Sequence, residues 1–207
     1  MSFVWDDSSI LPLGSAESTF TRAFFESSSR IMFPVSQEVA TYPGFEAATD
    51  NSFSSDRSQN GPRIMLRPVS DTGFSGTIYF KVISYVSEQT SGRVGVCLLA
   101  QGLGQRKNDA FARNFERGGV PYELTFNREG QTPQVDVTGV ENSPLRNFFG
   151  GWRAIDLRMS VSNSHEGERC ESEYIAPGID PMADDSGVTY QTAAPKVVMP
   201  FPGWPRV

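Results

Sequence analysis

The clearest structural signal in this sequence is the stretch 77–86, TIYFKVISYV. One face of this stretch would carry Ile78, Phe80, Val82 and Val86, and the other Thr77, Tyr79, Lys81, Ile83 and Tyr85. Alternation of this kind is typical of a β-strand with one buried face. The prediction of the fold therefore starts from this strand.

Further strand patterns lie on both sides of it. Residues 87–92 form a polar turn that ends in glycine, and 93–100, RVGVCLLA, read as a second strand, so the two strands predict a hairpin. Alternation also marks 122–126, 134–140 and 152–161 as strands. The aromatic run 20–25, FTRAFF, reads as the first strand, and 63–69 as either a strand or a turn of helix.

These segments amount to seven or eight short strands, and no segment of helical length shows an amphipathic pattern. They predict an all-β protein, a single antiparallel jelly-roll β-sandwich of about eight strands. The expected domain organisation is an N-terminal arm (1–19), a jelly-roll domain (20–173) and an extended C-terminal tail (174–207). The stretches 41–62 and 101–117 read as long loops.

Composition excludes several classes of protein. The chain has 207 residues and a net charge of −6, with no Lys/Arg-rich tail, which disfavours neutralisation of nucleic-acid phosphates. No apolar run approaches the roughly 20 residues of a membrane span. The first residues lack the basic segment and apolar core of a secretory signal. We therefore expect neither a membrane protein nor a secreted disulfide scaffold.

The two cysteines and the single histidine offer little chemistry. Cys97 lies in an apolar run and reads as a small buried hydrophobe, and Cys170 lies in a charged loop at 164–171. A disulfide between them is possible but is not favoured, because nothing in the sequence implies an oxidising compartment. His165 and Cys170 with a nearby glutamate could bind a metal, but a solvated acidic loop is the better interpretation.

No catalytic constellation emerges from the sequence. A G-x-S-x-G elbow is absent, and the glycines of Gly102-Leu103-Gly104 lack the spacing of a phosphate-binding loop. The carboxylate pairs Asp184/Asp185 and Glu171/Glu173 fall in polar stretches where solvated charge is the default. We expect a protein that is not an enzyme and has no cofactor.

A family resemblance arises from three stretches: 63–82, 91–96 and 135–145. Together they resemble the central part of picorna-like virus capsid proteins, in which an aromatic-x-Gly turn precedes a long strand and a second strand begins Gly-Arg-hydrophobic. Here Phe74-Ser75-Gly76 stands where that family more often has Trp-x-Gly. Size and the Pro-rich tail are most similar to the small coat protein of plant secoviruses, of the comovirus and fabavirus kind.

The resemblance implies a structural coat protein, one part of an icosahedral, pseudo T=3-like capsid that encloses an RNA genome. It implies a protein of the virion, assembled in the host cytoplasm, whose partners are other copies of itself and further coat proteins. No membrane partner is expected. Because the chain is acidic, RNA contact would be weak or indirect, through a few arginines such as Arg22, Arg30 or Arg57.

Candidate contact residues lie mainly in the two arms, which are mostly polar but contain bulky apolar side chains. The candidates for contacts between subunits are Phe3, Trp5, Ile10, Leu11, Phe201 and Trp204. The alternative is that the arms simply pack on their own domain. Candidates for exposed loop positions are Tyr42, Phe45, Arg106 and Lys107.

Two other functions fit the same architecture. A jelly-roll carbohydrate-binding module would use exposed aromatic platforms, such as Tyr42 and Phe45 with Asp50-Asn51, or Trp152 beside two glycines. Aromatic packing at the ends of the sheets explains the same residues without a ligand. A phage decoration or tail protein is the third possibility.

Overall fold

A computed structural model describes residues 1–36, 40–49, 73–114, 118–135, 139–159, 165–178 and 188–205. For residues 114 and 188 it describes the backbone only. The strands are β1 (Ser2–Trp5), β2 (Phe74–Ser87), β3 (Ser91–Leu99), β4 (Leu103–Lys107), β5 (Ala110–Asn114), β6 (Val120–Asn127), β7 (Arg153–Met159) and β8 (Val188–Gln191). The helices are α1 (Ala16–Met32), α2 (Phe45–Ala48) and α3 (His165–Ser172).

The predicted hairpin is the centre of the sheet. β2 and β3 pair antiparallel from Tyr79↔Leu99 to Ser87↔Gly92, and β4 continues along β2 after a break, with Gly76↔Leu103. β6 and β7 extend the sheet beyond β3, whereas β5 and β8 extend it beyond β4. β1 runs parallel to β2. The predicted all-β, antiparallel class is confirmed: the described part of the chain is mostly β, with eight strands in one sheet, and is consistent with a sandwich or jelly-roll type of fold.

The prediction of a first strand at 20–25 is wrong, because these residues lie in α1. The side chain of Ser15 caps the helix by accepting a hydrogen bond from the Ser18 amide (3.1 Å), and Pro34 follows its end. Phe20 and Phe24 are spaced by one helical turn, so the aromatic run also fits a helix, and α1 is buried along most of its length. The expectation that no segment of helical length shows an amphipathic pattern missed this 17-residue helix.

The main core lies between α1 and one face of the sheet. Phe20 on the helix contacts Phe126 on β6 and Trp152 just before β7, with ring centroids 5.0 and 6.0 Å away. Phe25 contacts Phe80 on β2 in the same way. Ile78, Phe80 and Val82 are all buried on this face, as the alternation predicts. A smaller apolar cluster forms on the opposite face of the sheet around Ile83, Cys97, Leu99, Cys170 and Ala176.

An irregularity in β2 alters the second half of the predicted pattern. The β2–β3 register shifts between Val82 and Ser84, so Ile83 is the extra residue of a β-bulge. Beyond the bulge the two faces exchange: Tyr85 packs against the main core, and Val86, predicted to face that core, is exposed. A single inserted residue has this effect because the side-chain period of a strand is two.

Several segments predicted as loops are regular elements. The stretch 101–112 contains most of the hairpin formed by β4 and β5, whose turn places Asn108 at a positive φ of 54°. The acidic stretch 164–171 lies mostly in α3, and the C-terminal tail contributes β8. The predicted N-terminal arm contributes β1. The predicted strand 122–126 is confirmed as part of β6, and β7 confirms a strand inside 152–161, whereas the described part of 134–140 has only a bridge from Gly139 to Gly203. The segment 63–69 lies outside the described residues.

The cysteine prediction is also corrected. Cys97 on β3 and Cys170 on α3 form a disulfide, with Cα atoms 5.7 Å apart. Both are fully buried in the smaller cluster. The pairing depends on a contact between α3 and the sheet. Local sequence patterns cannot reveal this contact, because the two cysteines are 73 positions apart.

Candidate functional site

A pocket of about 350 Å³ opens on the face of the sheet opposite α1. One wall comes from β1, β2 and β3, and the other from the segment 173–177 that follows α3. Its lining is mainly apolar and aromatic, with Val4, Tyr79, Leu99, Tyr174 and Ile175 among the residues that form it. A concave apolar site with a few polar groups at its edge is the usual form of a binding site.

Four side chains form a row across the strands at this pocket. Val4 on β1 is paired with Tyr79 on β2, and Tyr79 with Leu99 on β3. On its other side Val4 is bridged to Phe201 of the C-terminal segment, in parallel. Paired residues in neighbouring strands place their side chains on the same face. The row therefore runs from the inside of the pocket to Phe201, which is 53% exposed.

Charged groups lie at the edge of the pocket. The ammonium of Lys81 is 3.8 Å from the Asp6 carboxylate and 4.2 Å from the centroid of the Tyr174 ring. Glu173 is paired with Arg169 at 2.8 Å. Both signs of charge are thus present beside an apolar surface.

The segment 173–177 is held in place by α3. Besides the disulfide, the hydroxyl of Tyr174 donates a hydrogen bond to Glu166 (2.6 Å), and Arg169 donates to both Glu166 and Glu173. The hydrogen bond from Tyr174, together with Arg169, lowers the pKa of Glu166. Burial and the hydrogen bond to Glu166 raise the pKa of Tyr174, and burial raises that of Tyr79.

A second polar cluster is buried beneath the sheet and was not anticipated from the sequence. The Glu26 carboxylate on α1 accepts hydrogen bonds from Trp5 (2.9 Å), Tyr42 (2.6 Å) and Trp204 (2.7 Å). Arg22 lies one turn away, 3.7 Å from the same carboxylate, with its guanidinium 4.5 Å from the Trp204 ring centroid. All five residues are buried, so we interpret the cluster as structural. Its only sequence signal is the i, i+4 spacing of an arginine and a glutamate.

Most of the predicted contact residues belong to the protein's own core. Phe3, Trp5, Leu11 and Trp204 are each at most 2% exposed. For these four the structure corresponds to the alternative, in which the arms pack on their own domain. Ile10 and Phe201 are exposed, and only Phe201 lies beside the pocket.

Of the four predicted surface-loop residues, two are buried and two are exposed. Tyr42 and Phe45 are buried, which corrects their assignment to an exposed loop, whereas Arg106 and Lys107 are exposed on β4. Trp152 is buried and stacks on Phe126 at 5.5 Å. None of these three aromatic residues therefore offers an exposed platform for a sugar. Asp50-Asn51 lies outside the described residues.

The other candidate residues contribute no assembled chemical site. Arg22 is buried in the Glu26 cluster, and Arg30 lies near the rings of Phe3 and Tyr42. Arg57 and Asp184/Asp185 lie outside the described residues. Cys170 is engaged in the disulfide, and the residues that the structure describes contain no group of three or more His, Cys, Asp and Glu side chains suited to a metal ion.

None of the helices in the described ranges has the length and apolar character needed to cross a membrane. No protein family, curated protein or solved structure matches this chain.

Proposed function

We propose that this protein is a structural subunit that assembles through an exposed apolar face, and specifically a coat protein of a picorna-like icosahedral capsid around an RNA genome. The observation that carries the proposal is the C-terminal segment beside the pocket. Its residues Val197, Met199 and Phe201 are 49%, 71% and 53% exposed, and they alternate along the chain. Contiguous exposed apolar surface marks sites of protein association, and we infer from their alternation that these three side chains form such a surface.

The domain beneath this face has the rigidity that a repeating contact requires. The disulfide joins α3 to β3, and the Glu26 cluster joins β1, α1 and the C-terminal segment around Trp204. Contacts around symmetry axes need surfaces of defined shape, because each copy must present the same geometry to its neighbours. The mostly β fold supplies such a surface.

Charge supports a role in the shell rather than in packaging the genome. A net charge of −6 makes strong contact with RNA phosphates unfavourable, so we assign that task to partner coat proteins. Disulfides persist on virion surfaces, which are oxidising environments. The Cys97–Cys170 pair is therefore compatible with a virion protein that is assembled in the host cytoplasm and oxidised afterwards.

The test is sedimentation of the chain from its native source through a sucrose gradient, followed by electron microscopy of the fastest fraction. We expect the chain in uniform icosahedral particles together with larger partner chains. If it stays at the top of the gradient as a monomer or dimer, the coat-protein proposal is wrong.

A further inference from the structure

We propose that the pocket defined by β1–β3 and 173–177 receives the Phe201 side chain of a second copy of this chain. The inference rests on the proposed function and specifies one contact through which copies associate. It assigns a partner and a contact residue to the pocket.

Phe201 is held as a projecting side chain beside the pocket. Its amide donates a hydrogen bond to the Phe3 carbonyl (3.2 Å), and its carbonyl accepts one from the Trp5 amide (2.7 Å). These bonds fix the backbone of Phe201 along β1, next to the pocket. Because the backbone of Phe201 is already ordered, binding would cost only the rotational freedom of its side chain.

The pocket offers a complementary environment for an aromatic ring. Tyr79 and Tyr174 supply ring surfaces, while Val4, Leu99 and Ile175 supply aliphatic ones. Aromatic rings in contact prefer offset or edge-to-face arrangements, and Tyr79 is the first partner for such a contact, because Lys81 already lies over the Tyr174 ring. The ring of Phe201 would replace water against these walls.

The presence of both the exposed Phe201 side chain and the pocket on one chain indicates a second copy as the occupant. Because the backbones of Phe201 and Val4 are bridged, the Phe201 side chain and the pocket lie side by side on the same face. A two-fold axis between them would insert each Phe201 into the partner's pocket, which is the self-complementary arrangement of a symmetric dimer.

Charge at the edge of the pocket agrees with this choice. Lys81 carries a positive charge, and Asp6 and Glu173 carry negative charges, all three partly exposed. Lys81 is paired with Asp6 and Glu173 with Arg169, so the edge is balanced and of mixed sign, and a second copy with the same mixed edge meets no net repulsion there.

Sedimentation velocity of the oxidised, full-length chain over a wide range of concentrations tests the inference. We expect a reversible dimer whose dissociation constant rises roughly thirtyfold or more in Phe201→Ser, as for a contact residue at the centre of an interface. Tyr190→Ser removes an exposed aromatic side chain on β8 and is the matched control, with unchanged association. Thermal unfolding verifies that each variant is folded.

A mixing experiment separates this contact from a general loss of apolar surface. Ile175→Asp places a charge in the pocket but keeps Phe201, whereas Phe201→Ser keeps the pocket. Mixed dimers of the two variants retain one intact contact, and each variant alone retains none. We therefore expect the mixture to associate more tightly than either variant by itself.

The contradicting outcomes distinguish the two proposals. A wild-type chain that is monomeric at all concentrations overturns the dimer contact, as does a Phe201→Ser variant that associates like wild type. A small apolar molecule in the pocket of a monomeric chain, detected by native mass spectrometry, overturns it too. In each case icosahedral particles in the native-source gradient would leave the coat-protein proposal standing.

Discussion

Trp5 and Trp204, near opposite ends of the chain, donate their indole N–H groups to the two oxygens of one buried carboxylate, that of Glu26. Both tryptophans are also paired through their backbones, Trp5 with Phe80 at the end of β1 and Trp204 in a bridge to Glu141. The segments around Trp5 and Trp204 are therefore connected to each other through Glu26 of α1. A buried carboxylate is stable in this position because charge and hydrogen-bond donors compensate for the loss of water.

Removal of this carboxylate should be strongly destabilising. Glu26→Ala leaves the Arg22 charge buried without its carboxylate partner, and we expect a loss of about 3–5 kcal/mol in the free energy of unfolding. Urea denaturation followed by fluorescence measures the loss. Glu46→Ala, at an exposed position on α2, is the control and should change the free energy little. In the double variant Arg22→Met, Glu26→Met both charges are absent. The loss in the free energy of unfolding should therefore be smaller than in Glu26→Ala. An equal or larger loss would contradict the interpretation.

The disulfide should contribute a large part of the stability. Cys97 and Cys170 are separated by 73 positions, and closing a loop of this length in the unfolded chain corresponds to about 4 kcal/mol in the chain-entropy description. We expect the double variant Cys97→Ser, Cys170→Ser to unfold at a clearly lower urea concentration than the oxidised protein. Thiol titration of the denatured, unreduced protein should detect no free thiol. Two free thiols would show that the pairing is absent.

Stability should decrease at alkaline pH. Burial and the neighbouring Glu26 carboxylate raise the pKa of Tyr42 well above its ordinary value. The folded state therefore keeps the phenolic proton when the unfolded chain begins to lose it, at a pH of about 10. The stabilisation from this group is fully present below that pH and is lost progressively as the pH rises above it. Urea denaturation between neutral and strongly alkaline pH should show this decrease with a shallower slope in Tyr42→Phe, and parallel slopes would refute the assignment.

The helical assignment of residues 16–32 can be tested at its first turn. Ser15→Ala removes the acceptor of the Ser18 amide and should reduce the free energy of unfolding by about 1 kcal/mol. Ser15→Asp preserves an acceptor at the cap and should retain most of the stability. Ser9→Ala, at an exposed position outside the helix, serves as the control. If Ser15→Ala and Ser9→Ala have the same small effect, the cap has no energetic role.

The comparison of α1 with β2 shows which parts of the fold local patterns can predict. The alternation at 77–86 has one strand-like interpretation, and the strand is present. The run 20–25 fits either period, since aromatic residues favour strands but Phe20 and Phe24 also share one helical face. Tertiary packing accompanies the helix and outweighs the local preference, with Phe20 against Phe126 and Trp152 and Phe24 against Phe45.

The candidate site was predictable only in part. Phe201 was selected as a bulky apolar residue in the C-terminal tail, and it is indeed exposed beside the pocket. The pocket itself combines Val4, Leu99 and Ile175, which are remote in sequence and carry no motif. Only the pairing of β1 with β2 and the attachment of α3 to β3 bring such residues together.

The antiparallel β class, the central hairpin and two further strands could be predicted from the sequence, because side-chain alternation is a local property of the chain. The disulfide, the Glu26 cluster, the burial of Trp5 and Trp204 and the pocket could be seen only in the tertiary structure. These features depend on contacts between distant segments of the chain, and such contacts form only when the sheet packs against α1.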